Sequence, residues 1–348
     1  IGIEAGLFKN RIYVSADFFD KRTRNLLYEQ NLPNTTGFSK FWTNLGKVRF
    51  WGYELELTTR NIVKKNFSWE SKLVLSYQQN KVLKLPDNGI AKNRTGGIAL
   101  GDGTFFGGIA EGEPLNRFYG YVATGIIETE EQAANANYDA LSRLPQKGAK
   151  RVGDYEWADR NGDGQITTAD QFCLGVTVPP FTGGLQNSFR LKNWTLSLYL
   201  DWATGHSIFD ESYSRYFYGT FTNNYALAKD VLKAWKKPGD KTKYAKFYAN
   251  DSNWGNDNYN RRATNTFTYK GDYLCLREIT LQYSLPSKLF TKVGLKGVTL
   301  TVSGNNLYYF TEVKGISPEA GSSTTYDGDV FYNYPPIRRF SFGVRLIF

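Results

Sequence analysis

Oxygen-bearing groups recur at alternate positions in one short segment, a spacing that suits calcium. The candidate ligands are Asp159, Asn161, Asp163, the backbone carbonyl of Gln165 and, at the twelfth position, Asp170. Gly164 stands where such a loop turns sharply, although the flanks do not look helical and the twelfth residue is Asp rather than Glu. The alternative is an Asx-rich turn that needs no metal, because Asp and Asn bond their own backbone. In either case the segment orders a loop and carries out no catalysis.

The remaining reactive side chains form no catalytic constellation. Glu54 and Glu56 lie on one strand face and suggest the paired carboxylates of a glycosidase, but charge facing a water-filled lumen explains them more simply. His206 is the single histidine, which leaves no His-based metal cluster and little scope for a triad, and we expect a loop residue there. Cys173 and Cys275 fit no disulfide framework or metal site, so we expect two unpaired thiols. The sequence therefore predicts a protein that is not an enzyme and requires no cofactor.

Aromatic residues in the predicted loops are candidates for stacking on a sugar or gripping a peptide. They are Trp157, Tyr216, Phe217, Tyr218 and Trp254. Ordinary packing between loops is the favoured interpretation of each, so the residues that bind substrate stay unassigned.

The composition excludes some classes of protein. The 348 residues carry a net charge of +10, but lysine and arginine are dispersed over turns and polar strand faces. That dispersal argues against nucleic-acid binding and suits contact with anionic lipid headgroups. The mean hydropathy is −0.47, and no run of about 18 apolar residues predicts a transmembrane helix. Methionine is absent even at position 1, so we expect a processed chain or part of a longer one.

Residues 194–202 alternate between an apolar and a polar face, which is the period of a β-strand. One face has Trp194, Leu196, Leu198, Leu200 and Trp202, and the other has Thr195, Ser197, Tyr199 and Asp201. Indoles at both ends of an apolar row of about nine residues are typical of a strand that crosses a bilayer with its polar face towards a wet lumen.

The same alternation recurs along the chain and predicts about nine strands. The expected strands are 1–8, 11–31, one beginning near 51, 67–77, 181–191, 194–202, 273–285, one beginning at 298, and 339–348. The face assignment slips near Arg277, which predicts a bulge. In the long connections we expect a hairpin at 117–127, a helix at 129–143 and a helix-like piece at 227–236.

Short and long connections alternate along the chain. The short ones are 9–10, 63–66, 192–193 and 286–296, and the long ones are 31–46, 86–180, 205–268 and 314–336. This asymmetry is typical of outer-membrane barrels, which have short periplasmic turns and long extracellular loops. The predicted fold is an all-β antiparallel transmembrane β-barrel, and an odd strand count suggests that further strands lie upstream. A soluble β-sandwich or propeller is the alternative, but its loops would not be sorted so strictly and no internal repeat is visible.

Several motifs, in order across the whole chain, resemble those of SusC-like (SusC/RagA-type) TonB-dependent transporters from the outer membrane of Bacteroidota. They include GLFKNR at 6–11, GYELEL at 52–57, GEPL at 112–115, DRNGDGQI at 159–166, YLCLREITL at 273–281 and VSGNNL at 302–307. Each motif alone is weak, and together they are specific.

The resemblance implies that residues 1–348 give about the last nine strands of a barrel of about 22 strands, without the N-terminal plug and domains. It also implies a location in the outer membrane of a Gram-negative bacterium and import powered by the TonB system through the missing N-terminal region. The expected partner is a SusD-like surface lipoprotein, and the expected cargo is a large nutrient, an oligosaccharide or a peptide. One rival function is a structural subunit of a larger outer-membrane complex, and another is a soluble calcium-dependent glycan-binding β protein.

Overall fold

A computed structural model describes residues 1–31, 40–87, 91–93, 98–99, 105–106, 108–141, 150–210, 213–214, 217, 228–247, 264–290, 294–319 and 336–348. Nine long strands form one sheet whose spatial order is the order of the chain, and every neighbouring pair is antiparallel. They are β1 (Gly2–Leu7), β2 (Ile12–Asn31), β3 (Lys40–Val63), β4 (Phe67–Lys84), β5 (Phe181–Leu191), β6 (Trp194–Thr204), β7 (Tyr273–Ser284), β8 (Gly297–Thr311) and β9 (Arg339–Ile347). The predicted all-β, antiparallel architecture is confirmed. No helix in the described part of the chain is long and apolar enough to span a membrane.

The connections are sorted as the sequence predicts, with one change of boundary. The turns after β1, β3, β5 and β7 are short, and those after β2, β4, β6 and β8 lead into the loops on the opposite edge. Strand β3 begins at Lys40, so the prediction of a loop over 31–46 is wrong for 40–46. That segment pairs with the end of β2, as in Gln30 with Phe41, and backbone pairing there prevails over a polar, glycine-bearing composition.

The strand register aligns the apolar residues of successive strands into rows. One row runs from β3 to β9 through Ile62, Trp69, Phe189, Leu196, Leu281, Val302 and Phe342. Because side chains alternate across a strand, the intervening residues all lie on the other face. The apolar face is open to the surroundings, and Phe342 is 82% exposed. The sheet therefore has an apolar outer face and a polar inner face.

Aromatic side chains border the outer face at two levels. Phe67 and Trp194 lie at the short-turn level, where the rings of Trp194 and Tyr283 are 4.4 Å apart. Tyr53 and Tyr77 lie at the long-loop level, with stacked rings 5.0 Å apart. Ten residues separate Phe67 from Tyr77 on β4, which at the rise and tilt of barrel strands corresponds to a height of about 25 Å. That height matches the apolar band of an outer-membrane barrel.

A polar chain of hydrogen bonds interrupts the outer face near the short turns. Thr59 donates to Asn61 Oδ1 (3.0 Å), and Asn61 Nδ2 donates to Ser71 Oγ (2.8 Å). Ser71 Oγ and the indole N–H of Trp69 both donate to Asn187 Oδ1, at 2.7 and 3.0 Å. The polar groups that break the apolar row at Ser71 therefore satisfy one another, which lowers the cost of facing hydrocarbon.

The long connections contain short elements. The strands are Ile98–Ala99, Phe105–Phe106, Arg117–Gly120, Ala123–Ile126, Tyr138–Asp139, Tyr155–Trp157, Gln165–Ile166, Phe172–Val176, Ser207–Phe209 and Thr268–Lys270. The helices are α1 (Glu130–Asn135) and 3-10 turns at Ala91–Asn93, Thr168–Asp170, Lys229–Lys233, Asn265–Phe267 and Ser287–Leu289.

Three of the predicted loop elements need correction. Residues 117–127 do not form a hairpin, because Arg117–Gly120 pairs with Phe172–Val176 and Ala123–Ile126 pairs with Tyr155–Trp157. The helix predicted at 129–143 covers only Glu130–Asn135, where a capping box of Thr129 and Gln132 starts it. The piece predicted at 227–236 is a 3-10 turn at Lys229–Lys233. Pairing between segments distant in sequence, which local pattern does not reveal, decides the first case.

Residues from the connections after β4 and β6 share one buried core. Its buried members are Phe118, Tyr121, Tyr155, Trp157, Ile166, Phe209, Phe217, Ala234, Ala245 and Phe267. A fully buried ion pair between Lys150 and Asp139, 2.8 Å long, lies in the same loop layer. The two insertions therefore fold together above one edge of the sheet.

Candidate functional site

The inner face of the sheet carries the charges that the sequence assigned to a lumen. Glu54 and Glu56 both point to this face, and Glu56 forms an ion pair with Lys72 of β4 at 2.7 Å. The two ends of that pair are 37% and 43% exposed, as expected for groups that face water. A cross-strand ion pair accounts for Glu56, and Glu54 is exposed on the same face, so neither residue calls for glycosidase chemistry.

A shallow recess on the same face lies where β5, β6 and β7 meet. Gln186, Ser197, Tyr199 and Glu278 line it, and the register places Gln186, Tyr199 and Glu278 in one cross-strand row. Thr280 donates a hydrogen bond to Glu278 at 2.6 Å and so fixes the carboxylate. An amide, a phenol and a carboxylate side by side can hydrogen-bond the hydroxyl or amide groups of a polar cargo.

Arg277 holds three strands and one loop together on the inner face. It is the extra residue at a bulge of β7, where the register with both β6 and β8 shifts, so the bulge predicted near this residue is confirmed. Its guanidinium donates to both oxygens of Asp201, each at 2.7 Å, and also to Asn306 and Tyr309. A further contact joins it to Glu319 in the loop after β8. The bulge frees one side chain to use the whole guanidinium fork.

The described part of the loop after β8, residues 312–319, is fastened at a second point by His206. The ring Nε2 lies 3.2 Å from the carbonyl oxygen of Pro318, and the histidine is 3% exposed. Gly271 must be a glycine because a Cβ there would lie 2.3 Å from this nitrogen. Burial lowers the pKa of His206, while Pro318 and the charge of Asp272 oppose that shift. His206 is therefore a loop residue, as predicted, and a neutral donor that anchors residues 312–319.

The predicted calcium ligands form a closed loop of Asx turns. Asp159 accepts hydrogen bonds from the backbone N–H groups of Gly162 and Gly164 at 2.7 and 2.8 Å, which lower the pKa of its carboxyl group. Asp163 accepts one from Gln165 N at 2.8 Å and another from the side-chain amide of Asn161.

Asp170 adjoins this arrangement, because its side chain interacts with the carboxyl group of Asp159. It is fully buried, and its carboxylate accepts hydrogen bonds from Arg160 N and from the backbone and hydroxyl of Thr167. Within the described ranges no group of three or more His, Cys, Asp or Glu side chains is placed to hold a metal. The oxygens of Asp159, Asn161 and Asp163 thus fit a metal only after exchanging some of these bonds, and calcium stays a prediction.

The comparison with protein families decides the identity of this two-faced sheet. A family model described as "TonB dependent receptor-like, beta-barrel" matches residues 1–201. The chain belongs to that family. The predicted TonB-dependent receptor barrel is thereby confirmed, and with it the prediction that the protein is not an enzyme.

Relatives of this TonB-dependent receptor barrel match along its whole length. It is 30% identical to TonB-dependent receptor P3 of Formosa agariphila, over 100% of the chain and 33% of that protein. It is 24% identical to TonB-dependent receptor SusC of Bacteroides thetaiotaomicron, over 100% of the chain and 31% of that protein. The chain therefore spans about a third of the length of these curated relatives.

Solved structures show the same fold. A structure of the RagAB peptide importer in its open-open state superposes with a TM-score of 0.75 at 21% identity, covering 100% of the chain and 34% of the matched chain. A structure of the RagAB peptide transporter gives 0.74 at 21% identity, covering 99% and 34%. Both structures therefore share the fold of this chain over nearly its whole length.

The structure gives the positions of two of the five predicted loop aromatics and of both cysteines. Trp157 and Phe217 lie in the loop core, which confirms ordinary packing for these two. Tyr216, Tyr218 and Trp254 lie outside the described residues. Both cysteines are free, Cys173 exposed and Cys275 buried, as predicted.

The residues that sequence reasoning missed are the two anchors. The break in the apolar–polar alternation at Arg277 predicts a bulge but not its ion pairs, and the sequence predicts a loop at His206 but not its partner. The partners of these residues lie 42 and 112 positions away, at Glu319 and Pro318. The available signal was that a lone arginine interrupts the alternation of β7 at an otherwise apolar strand end.

Proposed function

We propose that this chain forms part of the wall and the extracellular loop layer of a TonB-dependent importer in the outer membrane of a Gram-negative bacterium of the Bacteroidota. One observation supports this most strongly. The nine-stranded sheet has an apolar face bounded by aromatic rows about 25 Å apart and a charged opposite face, with short turns on one edge and long loops on the other. Only a membrane wall around a wet lumen uses both faces of such a sheet.

The cargo that the lumen side suits is a large polar nutrient, an oligosaccharide or a peptide. The inner face mixes carboxylates, an ammonium group, amides and phenols, as at Glu56, Lys72, Gln186 and Tyr199. Such a surface offers both donors and acceptors without one dominant charge. The name of the RagAB importer specifies peptides for that protein, and similarity to it and to SusC supports this class of cargo.

The partners follow from the same similarity. A SusD-like surface lipoprotein would cover the loop layer, and the TonB system would act through parts of the longer protein that this chain does not include. The anchored loop at 312–319 and the shared core of the two insertions offer a preorganised outer surface for such a lid.

Uptake by cells tests the importer. Cells should be grown on a peptide mixture or on an oligosaccharide mixture as the nutrient. Deleting the gene for the full-length protein should abolish growth on the mixture that contains its cargo, and the wild-type gene should restore growth. An uncoupler of the inner-membrane proton gradient should stop uptake of labelled cargo without releasing the protein from the membrane. Unchanged uptake in the deletion strain, together with the loss of a larger outer-membrane assembly, would instead identify a structural subunit.

A purification tests the lipoprotein partner. The full-length protein, tagged and extracted in mild detergent, should co-purify with a lipoprotein in a stable ratio. The family match already favours the barrel over a soluble glycan-binding protein, and a full-length chain that stays soluble without detergent would reverse that conclusion.

A further inference from the structure

Three cations form one cross-strand row on the outer face of the wall. Arg22 of β2 lies directly opposite Arg49 of β3, and Arg49 lies opposite Lys81 of β4. All three share the face of Tyr53 and Tyr77. Arg49 and Lys81 each lie four positions from one of these tyrosines on the same strand, and Arg22 lies directly opposite Arg49. The row is therefore directed away from the lumen.

The backbone of the row lies just above the headgroup layer, within reach of its long arginine and lysine side chains. Lys81 is four residues beyond Tyr77 on β4, which places it about 10 Å above the upper aromatic row at the rise and tilt of barrel strands. The headgroup layers extend the bilayer by about 5–8 Å on each side of the hydrocarbon core. The long-loop side is the extracellular side, so these headgroups belong to the outer leaflet.

The cations are only partly neutralised within the protein. Arg49 donates to both oxygens of Asp20, with Nη2 to Oδ2 at 2.7 Å, and Arg22 Nε lies 3.5 Å from the same carboxylate. Lys81 has no ion-pair partner among the described residues. Like charges directly opposite one another on neighbouring strands destabilise a sheet. Three cations that share one carboxylate therefore leave positive charge for an external anion.

Below the row, apolar, aromatic and cationic side chains follow one another in the same order as the parts of a lipid molecule. Leu55 and Leu75 form an apolar pair, the stacked Tyr53 and Tyr77 lie above them, and the cations follow. The Arg49 guanidinium lies 4.7 Å from the centre of the Trp51 ring, which supports it at the interface. An acyl chain, a polar backbone and a phosphate, in that order, would each meet a matching group.

We propose that Arg22, Arg49 and Lys81 bind the phosphate group of an anionic lipid of the outer leaflet, such as a phosphorylated glycolipid. Guanidinium groups present fixed pairs of donors that match phosphate oxygens, and Lys81 adds a point charge. The site holds one lipid against β2–β4 and belongs to the outside of the wall, separate from the path of the cargo. The inference rests on the membrane location proposed above.

Binding of lipid to the full-length protein in detergent tests the site. The probes are bisphosphorylated lipid A, the same lipid after enzymatic dephosphorylation, and inorganic phosphate, each followed by native mass spectrometry and by the shift in unfolding temperature. The variant is R22Q/K81Q, which retains the Arg49–Asp20 pair. The matched control is K64Q/K65Q, which removes two exposed lysines at the short turn after β3.

Wild type and control should bind the phosphorylated lipid alike, and R22Q/K81Q should bind it about tenfold more weakly or worse, since two charge-assisted contacts are lost. Equal binding by R22Q/K81Q, equal binding of the dephosphorylated lipid, or inorganic phosphate that binds as tightly as lipid would each overturn the proposal. The proposal would also be overturned if R22Q/K81Q retained the lipid but lost a protein that co-purifies with the wild type, because the row would then bind that protein. If the proposed membrane location itself were wrong, the wild-type protein would stay soluble without detergent, a result that differs from every outcome of the lipid-binding test.

Discussion

The guanidinium of Arg277 holds both carboxylate oxygens of Asp201, with Nε to Oδ1 and Nη2 to Oδ2 each 2.7 Å long. The two residues are on neighbouring strands, and the arginine is the extra residue of the bulge. The same group contacts Glu319. One side chain therefore fixes both the local shape of the sheet and the start of the loop after β8.

Replacing Arg277 with Leu should lower the free energy of unfolding by about 2–3 kcal/mol. The carboxylate of Asp201 would remain 15% exposed and lose both of its guanidinium hydrogen bonds, and Glu319 would lose its contact with Arg277. The cost is below that of a fully buried pair because Arg277 is 24% exposed. Urea unfolding of the full-length barrel in vesicles measures this. Arg277→Lys keeps the charge but not the fork and should cost less. Unchanged stability in Arg277→Lys would show that the two-oxygen geometry does not matter, whereas equal losses in both variants would show that the charge alone contributes nothing.

Leu198 and Ser197 test which face meets lipid. Leu198 lies midway between Trp194 and Trp202 on the outer face, so Leu198→Arg should destabilise the barrel by about 2–4 kcal/mol in a bilayer. Ser197→Arg adds the same side chain to the inner face and should change stability little. Unfolding of both variants in vesicles gives the comparison. A larger loss for Ser197→Arg would reverse the assignment of the faces.

Residues 312–319 should loosen in acid because of His206. Its pKa is lowered by burial from 6.5, so the neutral ring stabilises the fold fully above about pH 6.5. That contribution is lost as the pH falls below 6.5 through the folded-state pKa. Hydrogen exchange of residues 312–319 should therefore accelerate as the pH is lowered from 7 towards 5, after correction for intrinsic rates. His206→Gln should remove this dependence, with Asp272, the charge that acts on the ring, unchanged. Persistence of the full effect in His206→Gln would assign it elsewhere.

Asp210 should behave in the opposite sense. Burial raises the pKa of its carboxyl group to about 6, so its contribution to stability is complete below the unfolded-state value of 3.8 and is lost as the pH rises through 6. Asp210→Asn retains the oxygen that accepts from Tyr213 N at 2.8 Å and should stabilise the loop layer at pH 7 on the order of 1–2 kcal/mol. Thermal unfolding at pH 4 and pH 7 checks this. A gain of the same size at both pH values would contradict the burial argument.

Calcium should protect residues 159–166 from hydrogen exchange at about 1 mM, the range of weak extracellular sites. Asp159→Asn should abolish the protection, because Asp159 heads the candidate ligand set and already gathers two backbone N–H groups. Asp240→Asn, in a turn of the same loop layer with similar backbone bonds, is the matched control. If calcium has no effect on the wild-type protein, the loop is an Asx turn that closes without metal.

The sequence allowed prediction of the wall much better than of the loops. Residues such as Leu196 and Leu198 alternate over whole strands, so period and turn positions predict β5, β6 and β7 within about two residues. Lys40 and Phe41 have no such pattern and join β3 only because β2 extends opposite them. Arg117–Gly120 pairs with a strand some fifty residues later, and His206 meets Pro318 across 112 residues. Contacts of that range depend on the assembled fold and leave no local signal.

The hydrogen-bonded polar chain on the outer face sets a condition on how the wall can be assembled. Ser71 and Asn187 are 116 residues apart, so their bond forms only when β4 and β5 pair across the whole insertion between them. A shift of one residue would turn Lys72 towards the acyl chains and leave Asn187 without its partners. That error costs little in water and much in hydrocarbon. Hydrocarbon therefore selects the correct alignment of β4 and β5 more strongly than water does.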